Sequence, residues 1–305
     1  MLRICQNIFM LTAKTYAQQL LQRVGLYHRL KVSRLYDCYW WLADRRVLDN
    51  KRAEISFYRE ALEGFREGYV IFDIGANQGS KTECFLKLGA RVVAVEPDPS
   101  NQEVLREKFT RMTRVGNRVD FVRKAVSYNI GVDTMWVDAP GSAKNTLSEK
   151  WVQTLRADEQ RFGARLEFGQ KKEIETTTLD QLIETYGAPF FVKIDVEGFE
   201  VNVLRGLSVP VPYLSFEINL PEFKNEGLDC ISLLDALSHD GQFNYVVECA
   251  DGFVLKQWLR AAEFSQVLDR CRESSIEVFW KVPGTTLGRN QKCTTSMYNP
   301  VLQAR

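Results

Sequence analysis

No run of 18 apolar residues occurs in this 305-residue sequence, so no segment reads as a bilayer-spanning helix. There is no CxxC pair either. The seven cysteines (Cys5, Cys38, Cys84, Cys230, Cys249, Cys271, Cys293) are odd in number and scattered, which points to reduced thiols and a cytoplasmic address. Histidine is almost missing. Neither His28 nor His239 lies at a strand end, so any proton-transferring base is expected to be a carboxylate. The net charge is only +1, which gives no bulk attraction toward nucleic acid, and nucleic acid is not expected as a partner. The opening MLRICQNIFMLTAK is interrupted by Arg3, Gln6 and Asn7 and has no small-residue cleavage site, so it does not read as a signal peptide. No internal repeat is found.

What is present is ordinary in amount and uneven in distribution. Hydrophobic content of 45% and charged content of 26% are those of a globular chain long enough for one large domain or two small ones. Residues 1–52 carry ten Lys/Arg against three Asp/Glu, a net of +7, so the remainder carries −6. Within this arm Phe9, Ala13, Tyr16, Leu20 and Val24 form one amphipathic stripe over 8–24. A second helical pattern runs from about Ser33 to Leu62. Three roles fit a basic, Trp- and Tyr-bearing arm: capping the main domain, peripheral contact with membrane phosphates, or a homodimer contact. The division expected is 1–66 as a basic helical extension, 67–283 as the main domain and 284–305 as a tail.

From Tyr69 onward strands and helices alternate. The run YVIFDI reads as a strand buried on both faces, followed by a helix over Ser80–Leu88. Arg91–Glu96, Val119–Val122, Phe190–Asp195 and Pro212–Asn219 read as further strands. Val132–Val137 looks like a hairpin strand, Asp138–Thr146 a loop, 148–162 a helix, and Lys172–Thr178 an exposed strand with polar alternation. Helices are expected over Leu179–Tyr186, Gly198–Leu204 and Ile231–Leu237, with closing strands at Tyr245–Glu248 and Ile276–Val282. This pattern predicts a mainly parallel, doubly wound Rossmann-like α/β sheet, whose ligands bind beyond the carboxyl ends of the strands.

The polar clusters fall at those ends. The first strand breaks into Asp73-Ile74-Gly75-Ala76-Asn77-Gln78-Gly79, a turn whose glycines allow positive φ and close backbone approach, so Gly75, Ala76, Asn77 and Gly79 are expected to line the bound cofactor together with Asp73. It is not the G-x-G-x-x-G of dinucleotide sites, because Asn77 stands where a glycine is required. A carboxylate at Asp73 would repel a pyrophosphate and suits a ligand carrying an amino group and a sulfonium. Glu96 ends the next strand and is placed to accept from ribose hydroxyls. Pro97, Asp98, Ala125 and Val126 would then lie near the base. In KIDVEGFE, Lys193 and Asp195 interrupt an apolar strand, where a buried charge needs a partner or a task. Asp195 or Glu197 is placed to deprotonate a hydroxyl, with Lys193 positioning it, and Glu217 in PYLSFEIN poses the same question. No clear metal cluster is present, although Asp195, Glu197 and Glu217 could converge on one ion.

The ordered set FDIGANQG, VEPDP, AVS, TTTLDQL, VKIDVEGFE, LRGL and FEIN resembles the FkbM-type methyltransferases over about Tyr69–Asn219. The resemblance implies a class I methyltransferase fold and S-adenosylmethionine as cofactor. It also implies methylation of a hydroxyl on a sugar, glycan or related small molecule. By it Asp73, Gly75, Asn77, Glu96 and Asp98 would contact the cofactor, and Asp195 would lie near the transferred methyl. The basic arm lies outside the match. Two other readings remain: a nicotinamide-dependent oxidoreductase, which the missing glycine and the lack of a Tyr-x-x-x-Lys pair disfavour, and a non-catalytic module that retains the cofactor pocket.

Overall fold

The computed structural model describes residues 45–112, 118–157 and 168–285. The helix expected over 8–24, the first part of the one expected from Ser33, the end of the one over 148–162 and the tail beyond 285 lie outside the described residues.

Five parallel strands form most of the main sheet: β1 (Val70–Ile74), β2 (Arg91–Val95), β3 (Val119–Val122), β7 (Phe191–Ile194) and β8 (Tyr213–Asn219). Two more, β9 (Gln242–Val246) and β10 (Ser275–Lys281), complete the order β3-β2-β1-β7-β8-β10-β9. Strand β10 runs antiparallel to both β8 and β9. The order reverses between β1 and β7, and in a doubly wound sheet such a reversal opens a crevice at the carboxyl ends.

Both faces are covered, which explains the unbroken apolar runs. Phe72 and Ile74 belong to one core with Val192, Ile194 and Phe216. Ile71, one residue off in the strand alternation, belongs to the opposite core with Phe85, Phe191 and Phe279. Helix α1 (Arg45–Ala61) is sealed into that second core. Tyr58 is fully buried, its ring 5.1 Å from Phe85, and Phe57 meets Phe279 edge-on at 5.4 Å. Truncating a buried aromatic of this kind costs about 3–5 kcal/mol.

The helices α2 (Ser80–Lys87), α3 (Pro99–Met112), α4 (Glu149–Ala157), α5 (Leu179–Tyr186) and α6 (Glu200–Leu204) follow in chain order. A separate three-stranded sheet, β4 (Ala125–Val126), β6 (Gln170–Thr177) and β5 (Gly131–Val137), lies in the order β4-β6-β5. The hairpin strand and the polar exposed strand of the sequence reading pair here, antiparallel, with Thr134 opposite Glu173.

Three elements differ from expectation. Helix α7 starts at Lys224, not Ile231. Its Gly227 reads as a breaker, yet it is there for packing, since a Cβ would lie 2.6 Å from Ile218 Cδ1. Strand β9 ends at Val246, because Val247 and Glu248 are exposed and the chain turns into a short 3-10 segment at Cys249–Asp251. Helix α8 (Ala261–Arg270) has no counterpart in the sequence reading. It buries only Phe264 and Leu268, a stripe too short to register as a period.

Candidate active site

The turn after β1 is shaped by a crossing of two chains. Gly75 has φ +82°, and a Cβ on it would lie 1.8 Å from the Asp195 carbonyl oxygen. Only glycine tolerates both conditions. Asn77 is also left-handed, at φ +47°, and its amide donates to Glu96 Oε2 at 2.8 Å. Asparagine accepts this conformation better than most residues. Gly79, φ +77°, caps α2 and faces Phe109 and Leu105, where a Cβ would lie 2.4 Å from the Phe109 ring.

A first cavity opens beside this turn. Gly75, Asn77, Glu96 and Pro97 form one wall, and Ala125, Val126 and Met135 of the small sheet another. The loop carrying Ser142, Asn145, Thr146 and Leu147 closes it, with Asp195, Val196 and Glu197 at its inner end. Glu96 is almost buried. Its Oε1 accepts from the Asp98 amide at 2.8 Å and its Oε2 from Asn77. Burial outweighs those two donors and raises its pKa to about 7. Asn101 also lines the cavity, and its buried Oδ1 has no hydrogen-bond partner.

Four residues placed in this cavity by the sequence reading do not line it. Asp73 is buried beneath the turn, where its Oδ2 accepts from Thr82 Oγ1 at 2.5 Å, and burial raises its pKa. Ala76 and Gly79 pack against Leu105 and Phe109. Asp98 is fully buried and holds the covering loop. It caps Ser100 N at 2.8 Å and accepts from Gly141 N at 3.1 Å and Asn145 Nδ2 at 2.7 Å. Sequence spacing places a residue at a strand end; it does not say which way the side chain turns.

A second cavity lies across Asp195, under α1 and the carboxyl ends of β7 and β8. The register explains its polarity. Asp73, Lys193 and Ser215 stand side by side on β1, β7 and β8, and Glu217 faces Glu277 on β8 and β10. These alternate positions share one face of the sheet. Lys193 is 3% exposed and donates to Asp195 Oδ2 at 2.7 Å. Burial pushes the Asp195 carboxyl up, but the Lys193 ammonium more than offsets this and holds it below its ordinary value. The ammonium is stabilised in turn: Asp195, with Glu277 behind it, overrides desolvation and raises the Lys193 pKa. Glu217 is raised to about 7 by burial and by the Asp195 charge, and Ser275 Oγ donates to its Oε1 at 2.6 Å. Lys193 thus keeps Asp195 ionised while Glu217 beside it holds its proton up to about pH 7, and the two carboxyls titrate as a pair.

Glu197 lies between Asp195 and α6 in a left-handed conformation, φ +55°, outside the helix rather than in its first turn. Its carbonyl accepts from Thr146 Oγ1 at 2.7 Å, which ties the covering loop to this turn. Burial and the charges of Asp195, Glu217 and Glu200 push its carboxyl well up. A strained backbone at such a residue marks a position held by its surroundings. Glu200 serves the turn itself, accepting from Gly198 N at 3.2 Å. Among the described residues no group of three or more His, Cys, Asp or Glu has the placement to hold a metal ion.

Sequence reasoning did not find Asn101, Met135, Asn145 and Thr146, nor Lys81, Glu54 and Glu277 in the second cavity. Glu277 alone carried a usable signal, a charge at an alternate position of the apolar strand SIEVFWK.

This strand order and its carboxyl-end crevice define a doubly wound, Rossmann-like domain of the class I methyltransferase type. The chain belongs to the FkbM methyltransferase family: the family model described as Methyltransferase FkbM domain matches residues 73–243. A curated relative is the hexuronic acid methyltransferase AglP of Haloferax volcanii, 27% identical over 168 residues, 55% of this chain and 62% of that protein. The chain thus spans less than two thirds of that relative's length. Among solved structures, methyltransferase FkbM from Methylobacillus flagellatus superposes with a TM-score of 0.48 at 18% identity, over 74% of this chain and 47% of that one. An S-adenosylmethionine-dependent O-methyltransferase from Thermotoga maritima gives 0.37 at 10% identity, over 75% and 64%.

The cofactor of this family is S-adenosylmethionine. The first cavity fits it. Glu96 offers carboxylate acceptors for ribose hydroxyls, the unpartnered Asn101 Oδ1 is an acceptor for an amino group, and Val126, Met135 and Leu147 give apolar walls for a base.

Among the described residues no helix is long and apolar enough to cross a membrane.

Proposed function

We propose that the protein transfers a methyl group from S-adenosylmethionine to a hydroxyl of a sugar or glycan acceptor. The observation that carries the reading is that Asp195 borders both cavities. Such a residue meets the cofactor side and the acceptor side at once. The hexuronic acid in the relative's name supports a sugar as the acceptor class.

When bound, the cofactor supplies a methyl on a sulfonium and departs as a neutral thioether, so its alignment with the acceptor is the larger part of the catalysis. Glu96 and Asn101 would hold its nucleoside, with Gly75 and Asn77 lining the turn beside it. Asp195, kept ionised by Lys193, takes the proton that the acceptor hydroxyl loses as its oxygen becomes an ether oxygen. Glu217 shares that proton. Glu197 shapes the wall between Asp195 and the covering loop. In this reading residues 67–283 are the catalytic unit, with 1–66 as the basic helical extension and 284–305 as the tail. The protein works in the cytoplasm, where residues 1–52, net +7, offer contact to an anionic membrane surface.

Calorimetry of the full chain with S-adenosylmethionine and with NAD tests the cofactor. Labelled S-adenosylmethionine with a panel of glycans and lipid-linked sugars tests the transfer. Binding of NAD alone would replace the reading with the oxidoreductase one. Cofactor binding with no labelled product from any acceptor would favour the non-catalytic module.

A further inference from the structure

The second cavity has a charge balance that selects among sugars. Its described lining holds three lysines, Lys51, Lys81 and Lys193, and five carboxylates, Glu54, Asp195, Glu217, Glu248 and Glu277. Every one of the lysines is already in an ion pair. Lys51 Nζ is 2.6 Å from Glu83, Lys81 is paired with Glu54, and Lys193 is 2.7 Å from Asp195. Three lining carboxylates, Glu217, Glu248 and Glu277, make no contact ion pair with these lysines, although the Glu277 charge also acts on Lys81 and Lys193 from farther off. Two of these accept from serines instead: Glu217 from Ser275 and Glu277 from Ser215 Oγ, both at 2.6 Å.

An acidic acceptor entering this cleft would give up its hydration and find no unpaired cation among the described residues. It would also meet like charges a few ångströms away, an arrangement that is unfavourable in a partly buried site. A hydroxyl is the opposite case. It donates, and each carboxylate oxygen keeps lone pairs free beyond the one its serine occupies. Neighbouring hydroxyls of a sugar ring can therefore satisfy carboxylates that would repel a uronate.

Resting on the proposed transfer, we infer that the second cavity is the acceptor site and that it takes a sugar ring presenting neighbouring hydroxyls and no acidic group. This separates the chain's acceptor from a uronic acid while keeping the reaction class.

The test uses the full-length protein saturated with S-adenosylhomocysteine and matched pairs of p-nitrophenyl glycosides: glucoside with glucuronide, galactoside with galacturonide. Saturation-transfer NMR reads binding at millimolar concentration. The neutral member of at least one pair is expected to bind about tenfold or more tightly than its uronide. Glu248→Lys, at the exposed edge of the cleft, should narrow that difference. A uronide that binds as well as its neutral partner overturns the inference, as does the absence of binding by either neutral glycoside. Calorimetry of S-adenosylhomocysteine on the same sample separates the two levels: normal binding there leaves the methyltransferase reading standing while this inference falls, and failed binding removes the reading itself.

Discussion

Gly75 and Asp195 cross so closely that the hydrogen of one Cα is all that fits beneath the other's carbonyl oxygen; a Cβ would sit 1.8 Å away. The first glycine of the turn therefore serves the joint between β1 and β7 as well as the ligand above it. Moving the backbone of Asp195 moves its carboxylate and its bond to Lys193. Gly75→Ala is expected to lower stability by about 3 kcal/mol or more, from overpacking and from a left-handed φ that alanine tolerates poorly. Urea denaturation measures the first effect. Cofactor calorimetry on the folded fraction measures the second, with affinity falling as the turn shifts.

Lys193 and Asp195 form a buried pair whose members do not fail alike. Lys193→Met leaves the Asp195 carboxylate without its cation, and removing one partner of a buried pair costs about 3–5 kcal/mol. Its pKa should rise in that variant, since burial then acts without the ammonium that now outweighs it. Asp195→Asn keeps an acceptor beside Lys193 and should be the milder change in a thermal melt. Turnover should reverse the ranking in kind: the asparagine cannot take a proton, and loss of a positioned base lowers rate by about 10²–10⁴-fold. Full activity in Asp195→Asn would demote Asp195 to a structural role.

The same pair shows what a sequence can and cannot reveal. Lys193 and Asp195 were legible because charges in an apolar strand need an explanation, and the register shows it: they face the polar side of the sheet with Asp73 and Glu217. Glu277 carries that signal too, but SIEVFWK reads on its pattern only as a closing strand. Asp73, Ala76, Gly79 and Asp98 sit as expected at the carboxyl ends of the strands, and they face Thr82, the cluster of Leu105 and Phe109, and the covering loop instead of the first cavity. Direction depends on α2, α3 and the covering loop, whose packing no spacing encodes. Asn101 and Asn145 were invisible for the same reason: Asn145 matters through Asp98, 47 positions earlier. Helix α8 escaped because its packing is carried by two residues.

Glu96 gives a pH dependence with a definite sign. Its pKa is raised to about 7, so its protonated fraction grows as pH falls through 7. A protonated carboxyl offers fewer acceptor sites to ribose hydroxyls. Cofactor affinity should be full at about pH 8.5 and lower at about pH 6, with the change centred near 7. Glu96→Ala should weaken binding by about 1.5–3 kcal/mol, since a charged hydrogen-bond partner is lost, and should flatten the profile. Calorimetry across that range checks both; unchanged affinity in the variant would take Glu96 out of the site.

Tyr58 tests how far α1 belongs to the core. Its ring is fully buried among Phe57, Phe85, Phe191 and Phe279. Tyr58→Ala should cost about 3–5 kcal/mol in urea denaturation. Because α1 also forms the roof of the second cavity through Lys51 and Glu54, the variant should lose acceptor turnover beyond any loss of cofactor affinity. Equal losses of both would place the effect in the whole fold.

Glu217 separates a proton-sharing role from a structural one. With its pKa raised to about 7 by burial and by Asp195, it holds a proton below neutrality and donates toward Asp195. Ionisation of the second carboxylate makes the pair a stronger base, so kcat should rise with pH through about 7 and level off above it. Glu217→Gln cannot undergo that ionisation. It should keep the fold and the Ser275 contact, lower kcat at about pH 8, and lose the rise near 7 while leaving cofactor affinity intact. A rise that persists unchanged in Glu217→Gln would assign it to another group, with Glu197, whose pKa is also raised by burial, the next to replace.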